Sequence, residues 1–184
     1  MAFPRIAKLK TYEDFMGRIN ELKIDLPCDA TAPDPSSCHL AEASEVDGMK
    51  IGNRFCILPM EGWDGTTDGK PTDLTRRRWH NFGISGAKLI WGGEAVAVRR
   101  DGRANPNQLM INDGTLSDIE SLRTELIEKH AERFTNTDDL LVGLQLTHSG
   151  RFARPNDKAK LEPRIGHRNA ALDASWDSPT IRRC

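Results

Sequence analysis

Gln145, Thr147 and His148 close one short apolar run, Leu141-Val142-Gly143-Leu144-Gln145-Leu146-Thr147-His148-Ser149-Gly150-Arg151. A primary amide offers one acceptor and two donors, and burying them unpaired is costly. An amide that interrupts an otherwise apolar strand therefore predicts a polar partner at the strand's end. Two carboxylates stand in comparable places, Glu61 after Pro59-Met60 and Glu94 between Gly93 and Ala95. Glu94 reads better as the partner of an arginine than as a catalytic acid. His148 titrates in a useful range, but no relay stands beside it, and a hydrogen bond to a loop carbonyl is the plainer reading. Gln145 reads either as a ligand-binding group or as a structural amide capping a barrel layer.

Metal and redox chemistry find little support. Cys28, Cys38, Cys56 and Cys184 form no C-x-x-C pair, and Cys38-His39 has no second pair to complete a zinc set. No metal site is expected, and Cys56, inside an apolar run, is expected to be a small core residue. The triplet Arg76-Arg77-Arg78 suggests phosphate binding, but formal net charge over 184 residues is -1. A solvated helix face is the better reading, and no nucleic-acid partner is expected. No apolar run approaches the roughly 20 residues that span a bilayer, and the first ten residues lack the apolar core of a secretory signal. The chain is therefore expected in the cytoplasm, without a membrane partner.

The elements that must position these groups follow from periodicity. Thr11 to Leu22 reads as an amphipathic helix, and Leu26 to Ser37 as a loop or extended arm. Asp47-Gly48 predicts a hairpin within Glu45–Ile51. Phe55 to Leu58 reads as a first buried strand closed by Pro59, followed by a polar loop from Glu61 to Pro71. Thr72 caps a helix from Asp73 to about Phe82, with Leu74, Trp79 and Phe82 on its apolar face. Lys88 to Val98 is a second strand. Thr115 starts a strong helix to about Arg133, with Leu116, Ile119, Leu122 and Leu126 at helical spacing. Leu141 onward is the third strand. After Arg151 the pattern fades into prolines and charges.

Strand, helix, strand, helix, strand is the grammar of a parallel α/β sheet, in which reacting groups gather at the carboxyl ends of the strands. The clusters 59–61, 93–95 and 145–148 all lie at such ends. The fold class is thus α/β, a partial TIM (β/α)8 barrel: an N-terminal hairpin plus about the first three βα units. A complete barrel takes about 250 residues, so the chain reads as the first part of a larger design. The expected divisions are 1–45, an N-terminal helix and arm; 46–155, the barrel part; and 156–184, an irregular tail read as a truncation.

These residues resemble a known family. Asn53-Arg54 leading to Pro59-Met60, Glu94-Ala95-Val96-Ala97-Val98 with Gly102-Arg103, and Leu144-Gln145-Leu146 with His148 and Gly150-Arg151 look like the N-terminal portion of the old yellow enzymes, FMN-dependent NAD(P)H oxidoreductases and ene-reductases. The resemblance covers roughly Val46 to Pro155. It implies that Pro59, Met60 and Glu61 lie along the flavin ring near N5 and O4. It implies that Ala95 lets the ring approach, that Gln145 meets the pyrimidine edge, and that Thr147 faces substrate. Glu61 departs from the neutral or thiol residues common there, and as a carboxylate facing N5 it would disfavour negative charge on the ring.

The resemblance also shows what these residues lack. The family's His/Asn pair, proton-donating tyrosine and phosphate loops come from later strands, and the only tyrosine here is Tyr12. No catalytic residue is therefore assigned. The expected function is hydride transfer through FMN from NAD(P)H to a small activated alkene or similar acceptor, with this chain inactive alone. The alternative is a non-catalytic scaffold or partner-binding fragment, whose open sheet edges could support self-association.

Overall fold

Asp47 and Gly48 both take left-handed backbone angles, φ 51° and 78°, the pair a two-residue hairpin turn needs. They join β1 (Ser44–Val46) to β2 (Met49–Ile51), antiparallel as the sequence predicts. The computed structural model describes residues 5–167 and 169–173 and the backbone of Arg182–Arg183. Cys184 lies outside the described residues. The chain forms two units, Met1–Cys38 and His39–Cys184. In the first, α1 (Tyr12–Glu21) is capped by Thr11, whose hydroxyl accepts from the Asp14 N–H at 3.1 Å. The Tyr12 hydroxyl donates to the Cys28 carbonyl at 3.4 Å.

In the second unit a three-stranded parallel sheet carries helices on one face. β3 (Cys56–Ile57) pairs with β4 (Leu89–Ala97), and β4 with β5 (Leu141–Thr147). α2 (Asp73–Ile84) connects the first pair and α3 (Leu116–Phe134) the second. The core is Trp79, Ile90, Val96, Leu109, Ile119, Leu122 and Leu126. Ile57, Val142 and Leu144 pack against it from the sheet. The short β6 (Arg164–Ile165) pairs with β7 (Arg182–Arg183), and α4 (Ala170–Asp173) lies between them. Among the described residues no helix is long and apolar enough to cross a membrane.

The first strand departs from expectation. It is two residues long, and Phe55, Cys56 and Leu58 are exposed. It forms one edge of the sheet, and its side chains opposite the helices meet no second layer, so Cys56 is not a core residue. Leu74 and Leu116 are likewise exposed. Each sits in the first turn of its helix, beyond the stretch that packs on the sheet. Thr72 caps α2 in a reciprocal box with Thr75. Thr115 does not cap α3. Its hydroxyl donates to the Met110 carbonyl at 2.6 Å and accepts from the Asn112 N–H at 3.1 Å.

At the opposite end of the sheet from the rim clusters, His130 is fully buried against α2. Its Nε2 lies 2.9 Å from the Lys88 ammonium and its Nδ1 2.9 Å from the Gly83 carbonyl. An ammonium only donates and a carbonyl only accepts, so the ring is neutral with its proton on Nδ1. Burial lowers the His130 pKa; the Gly83 bond opposes this, and the Lys88 charge adds to it. The unfolded chain therefore binds this proton more readily. The stabilisation is present above the ordinary histidine value of 6.5 and is lost as pH falls through it. In thermal melts, the advantage of the wild type over His130→Gln is expected to shrink between about pH 7 and about pH 5. An advantage that grows on acidification would contradict the neutral assignment.

Candidate functional site

β4 reaches the rim through an irregularity. Trp91 pairs with Gly143 and Ala95 with Gln145, so four steps along β4 are matched by two along β5. Gly92, at φ 59°, permits the excursion, and a Cβ there would stand 2.6 Å from the Gln145 nitrogen. Without the bulge, Ala95 would run past Gln145 instead of sitting opposite it. Register partners on adjacent strands present side chains to the same face. Ala95 is buried and Gln145 exposed.

The chain leaving β3 joins them. The Ala95 N–H donates to the Met60 carbonyl at 3.0 Å. Met60, flanked by Pro59 and Glu61, thus lies against Ala95, and Ala95 against Gln145. The three clusters converge on one rim, as the alternation of elements implies. Met60 and Glu61 are exposed and Pro59 is half-buried. The Gln145 amide makes no hydrogen bond to the described residues. It meets open space at the strand's end, not the polar protein group its position suggests.

A carboxylate clamp holds the loop after Met60. Glu94 is fully buried. One of its oxygens accepts from the Gly62 N–H at 2.5 Å, and the other from Arg78 Nη2 at 2.6 Å. Arg78 also donates to both oxygens of Asp64, at 2.8 and 3.1 Å, and to the Gly93 carbonyl at 3.2 Å. Burial pushes the Glu94 carboxyl up, and the Arg78 charge offsets part of that rise. Burial raises Asp64 too, but hydrogen bonds and charge from Arg78 outweigh it and hold Asp64 below its ordinary value. Glu94 is therefore an arginine's partner, as its setting suggested. The arginine triplet is not simply a solvated face. Arg77 is exposed, but Arg78 clamps the rim and Arg76 pairs with Glu125. The net charge that argued for a solvated face says nothing of carboxylates waiting on other elements.

Gln108 was not legible as a site residue. It is fully buried. Its Nε2 donates to the Ala95 carbonyl at 2.8 Å and to the Thr147 hydroxyl at 3.1 Å, while its Oε1 accepts from the Ala104 N–H at 2.6 Å. It ties the ends of β4 and β5 together from the loop beyond. The signal was present: Gln108 precedes Leu109-Met110-Ile111 as an amide beside an apolar run, and that run bonds to Ala97 on both sides. The Thr147 hydroxyl is engaged by Gln108 and reaches the Val96 carbonyl at 3.3 Å. Buried Arg103 donates to the carbonyls of Thr66, Thr67 and Gln108, pinning the two loops to each other. His148 accepts from the Gly150 N–H at 3.1 Å instead of bonding a carbonyl, and its ring packs on Gly102. Among the described residues no group of His, Cys, Asp and Glu side chains could hold a metal ion.

No protein-family model and no curated protein matches the sequence. Solved structures do. The fold is similar to an old yellow enzyme homologue from Zymomonas mobilis, with 19% identity and TM-score 0.55 over 71% of this chain and 33% of that one. It is similar to the Old Yellow Enzyme from Pichia sp. AKU4542, with 20% identity and TM-score 0.50 over 64% of this chain and 28% of that one. The old yellow enzyme from Trypanosoma cruzi matches at 20% identity and TM-score 0.50, over 62% and 28%. The likeness is one of fold, α/β as the sequence predicts, and the chain spans about a third of the length of the structures it matches. The described sheet is open and forms no closed barrel.

Proposed function

We propose that this chain supplies one wall of an FMN site in an oxidoreductase of the old yellow enzyme type, as the first part of a (β/α)8 barrel. The observation that carries this reading is the convergence of Met60, Ala95 and Gln145 on one rim. The residues fit one side of a flat heteroaromatic ring. Ala95 is small and buried, so a ring would approach the strand backbone there without meeting a projecting side chain, and the Gln145 amide is free to answer adjacent donors and acceptors on a pyrimidine edge. Backbone at Pro59, Met60 and Glu61 runs along the ring's other edge. Thr147, whose hydroxyl Gln108 holds, would face substrate. Bound there, FMN would supply hydride transfer between NAD(P)H and a small activated alkene or similar acceptor.

Among the described residues these strands bring no phosphate loop to the wall, so weak FMN binding and no turnover are the expected results for this chain by itself. FMN fluorescence, titrated with the 184-residue chain, is expected to show weak saturable quenching. Ala95→Phe should abolish it and Gln145→Leu weaken it about tenfold, the worth of about one good hydrogen bond. After desalting, little flavin absorbance should remain. No saturable quenching, or quenching indifferent to both substitutions, would overturn the reading.

A second reading is a partner-binding scaffold. It is favoured by a groove of about 400 Å³ beside β5, lined by Trp79, Leu116, Ile119, Val142 and Leu144. Size-exclusion at several concentrations separates the two: concentration-dependent association without FMN quenching favours the scaffold.

A further inference from the structure

Beyond the ends of β4 and β5 lies a cavity of about 640 Å³ that the flavin reading does not use. Two segments line it, one following β4 and one preceding β6. Its cationic groups are Arg99, Arg100, Lys160 and Arg164, and its carboxylates are Asp101 and Glu162. Residues 99–103 and 151–164 together carry eight lysines and arginines against three carboxylates, in a chain whose net charge is -1. Charge of one sign lining a concave wall raises the local concentration of the opposite ion.

Both carboxylates are already engaged, Asp101 by two arginines and Glu162 by a neutral amide. Asp101 accepts from Arg99 Nε at 3.0 Å and pairs with Arg164 Nε at 3.2 Å. The Asn156 amide donates to both oxygens of Glu162, at 3.1 and 3.2 Å. Arg100 and Lys160 make no side-chain ion pair or hydrogen bond with the described residues. Like-charged side chains face one cavity with their donors unspent, and an anion with several oxygens would relieve that repulsion. A guanidinium fork and an ammonium together match a phosphate group. The volume falls in the range of small-molecule sites, about 300–1,000 Å³.

The wall is held in place by main chain. The Ser149 N–H donates to the Gly102 carbonyl at 2.7 Å, the Arg154 N–H to the Arg103 carbonyl at 2.8 Å, and the Glu162 N–H to the Ala153 carbonyl at 2.8 Å. The 99–103 and 151–164 segments are thus tied together before any ligand arrives. We propose that this cavity binds a phosphate-bearing anion, either inorganic pyrophosphate or the phosphates of a nucleotide, through Arg100 and Lys160. The site stands apart from the flavin wall and is tested without flavin.

Calorimetric titration of the full 184-residue chain with inorganic pyrophosphate and, separately, with adenosine 2′,5′-bisphosphate should show saturable binding that weakens as salt rises. The Arg100→Ala/Lys160→Ala double variant should lose at least about tenfold in affinity for either ligand. Both side chains are exposed, so its thermal midpoint should stay at the wild-type value. A charge-matched control, Lys50→Ala/Arg77→Ala, should bind as the wild type does. Equal affinity for the two ligands identifies the phosphate groups as what is recognised, and tighter nucleotide binding adds the sugar and base. No saturable binding, or equal losses in the double variant and the control, would overturn the proposal. Quenching of riboflavin, which has the flavin ring but no phosphate for this cavity, reports on the flavin reading independently in the same preparations.

Discussion

Replacing Arg78 by methionine is expected to destabilise the second unit by about 3–5 kcal/mol, the usual consequence of leaving one partner of a buried ion pair uncompensated. Glu94 would keep its place below the surface with only the Gly62 N–H to answer it. Asp64 would lose the guanidinium that holds it down. The loss should depend on pH in a defined sense. The Glu94 carboxyl is already raised by burial, and removing the guanidinium raises it further. A raised carboxyl contributes stability below its ordinary value, and that stability is lost as pH rises through the folded value. Arg78→Met should therefore lie closer to the wild type in acid than at neutral pH. The double variant Arg78→Met/Glu94→Leu should recover much of the loss, because no buried charge is left. Denaturant midpoints at two pH values decide it. A loss that is equal at both, or no recovery in the double variant, would show that Glu94 is not an uncompensated charge once Arg78 is gone.

Gly92→Ala is expected to be nearly as damaging, and its harm reaches the rim directly. The left-handed angle costs a residue with a Cβ about 1–2 kcal/mol. The new methyl meets the Gln145 backbone nitrogen at 2.6 Å, where nothing flexible can give way. Overpacking adds about 1–3 kcal/mol. Relief can come only by moving β4 off β5 or by flattening the bulge, and either separates Ala95 from Gln145. Two measurements should change together: a lower thermal midpoint and a shifted amide resonance pattern at Ala95 and Gln145 in NMR spectra. A midpoint at the wild-type value would show that the bulge does not depend on glycine.

Much of this was legible because the local chemistry is unambiguous. Asp47-Gly48 forms its turn from backbone preference alone, and Thr72 caps α2 because its hydroxyl meets an orphan N–H three residues on. The meeting of Met60, Ala95 and Gln145 was also readable, since strand–helix alternation sends strand ends to one rim. Periodicity could not say how much of a face would be covered. Phe55, Cys56 and Leu58 have the composition of a buried strand, yet they line an edge and an uncovered face. Burial depends on what arrives from elsewhere in the chain.

By itself, then, the sequence determined the order of elements, their turns and caps, and the α/β class, all consequences of interactions within a few residues. Only the tertiary structure decided which charges meet. Arg78 found Asp64 and Glu94 across 14 and 16 residues, and Gln108 found Thr147 across 39. It also decided that Arg100 and Lys160 share a cavity whose carboxylates, Asp101 and Glu162, are bonded to other residues. Charge pairing is set by distance in space, and no local pattern in a chain encodes which distant carboxylate folding will bring near.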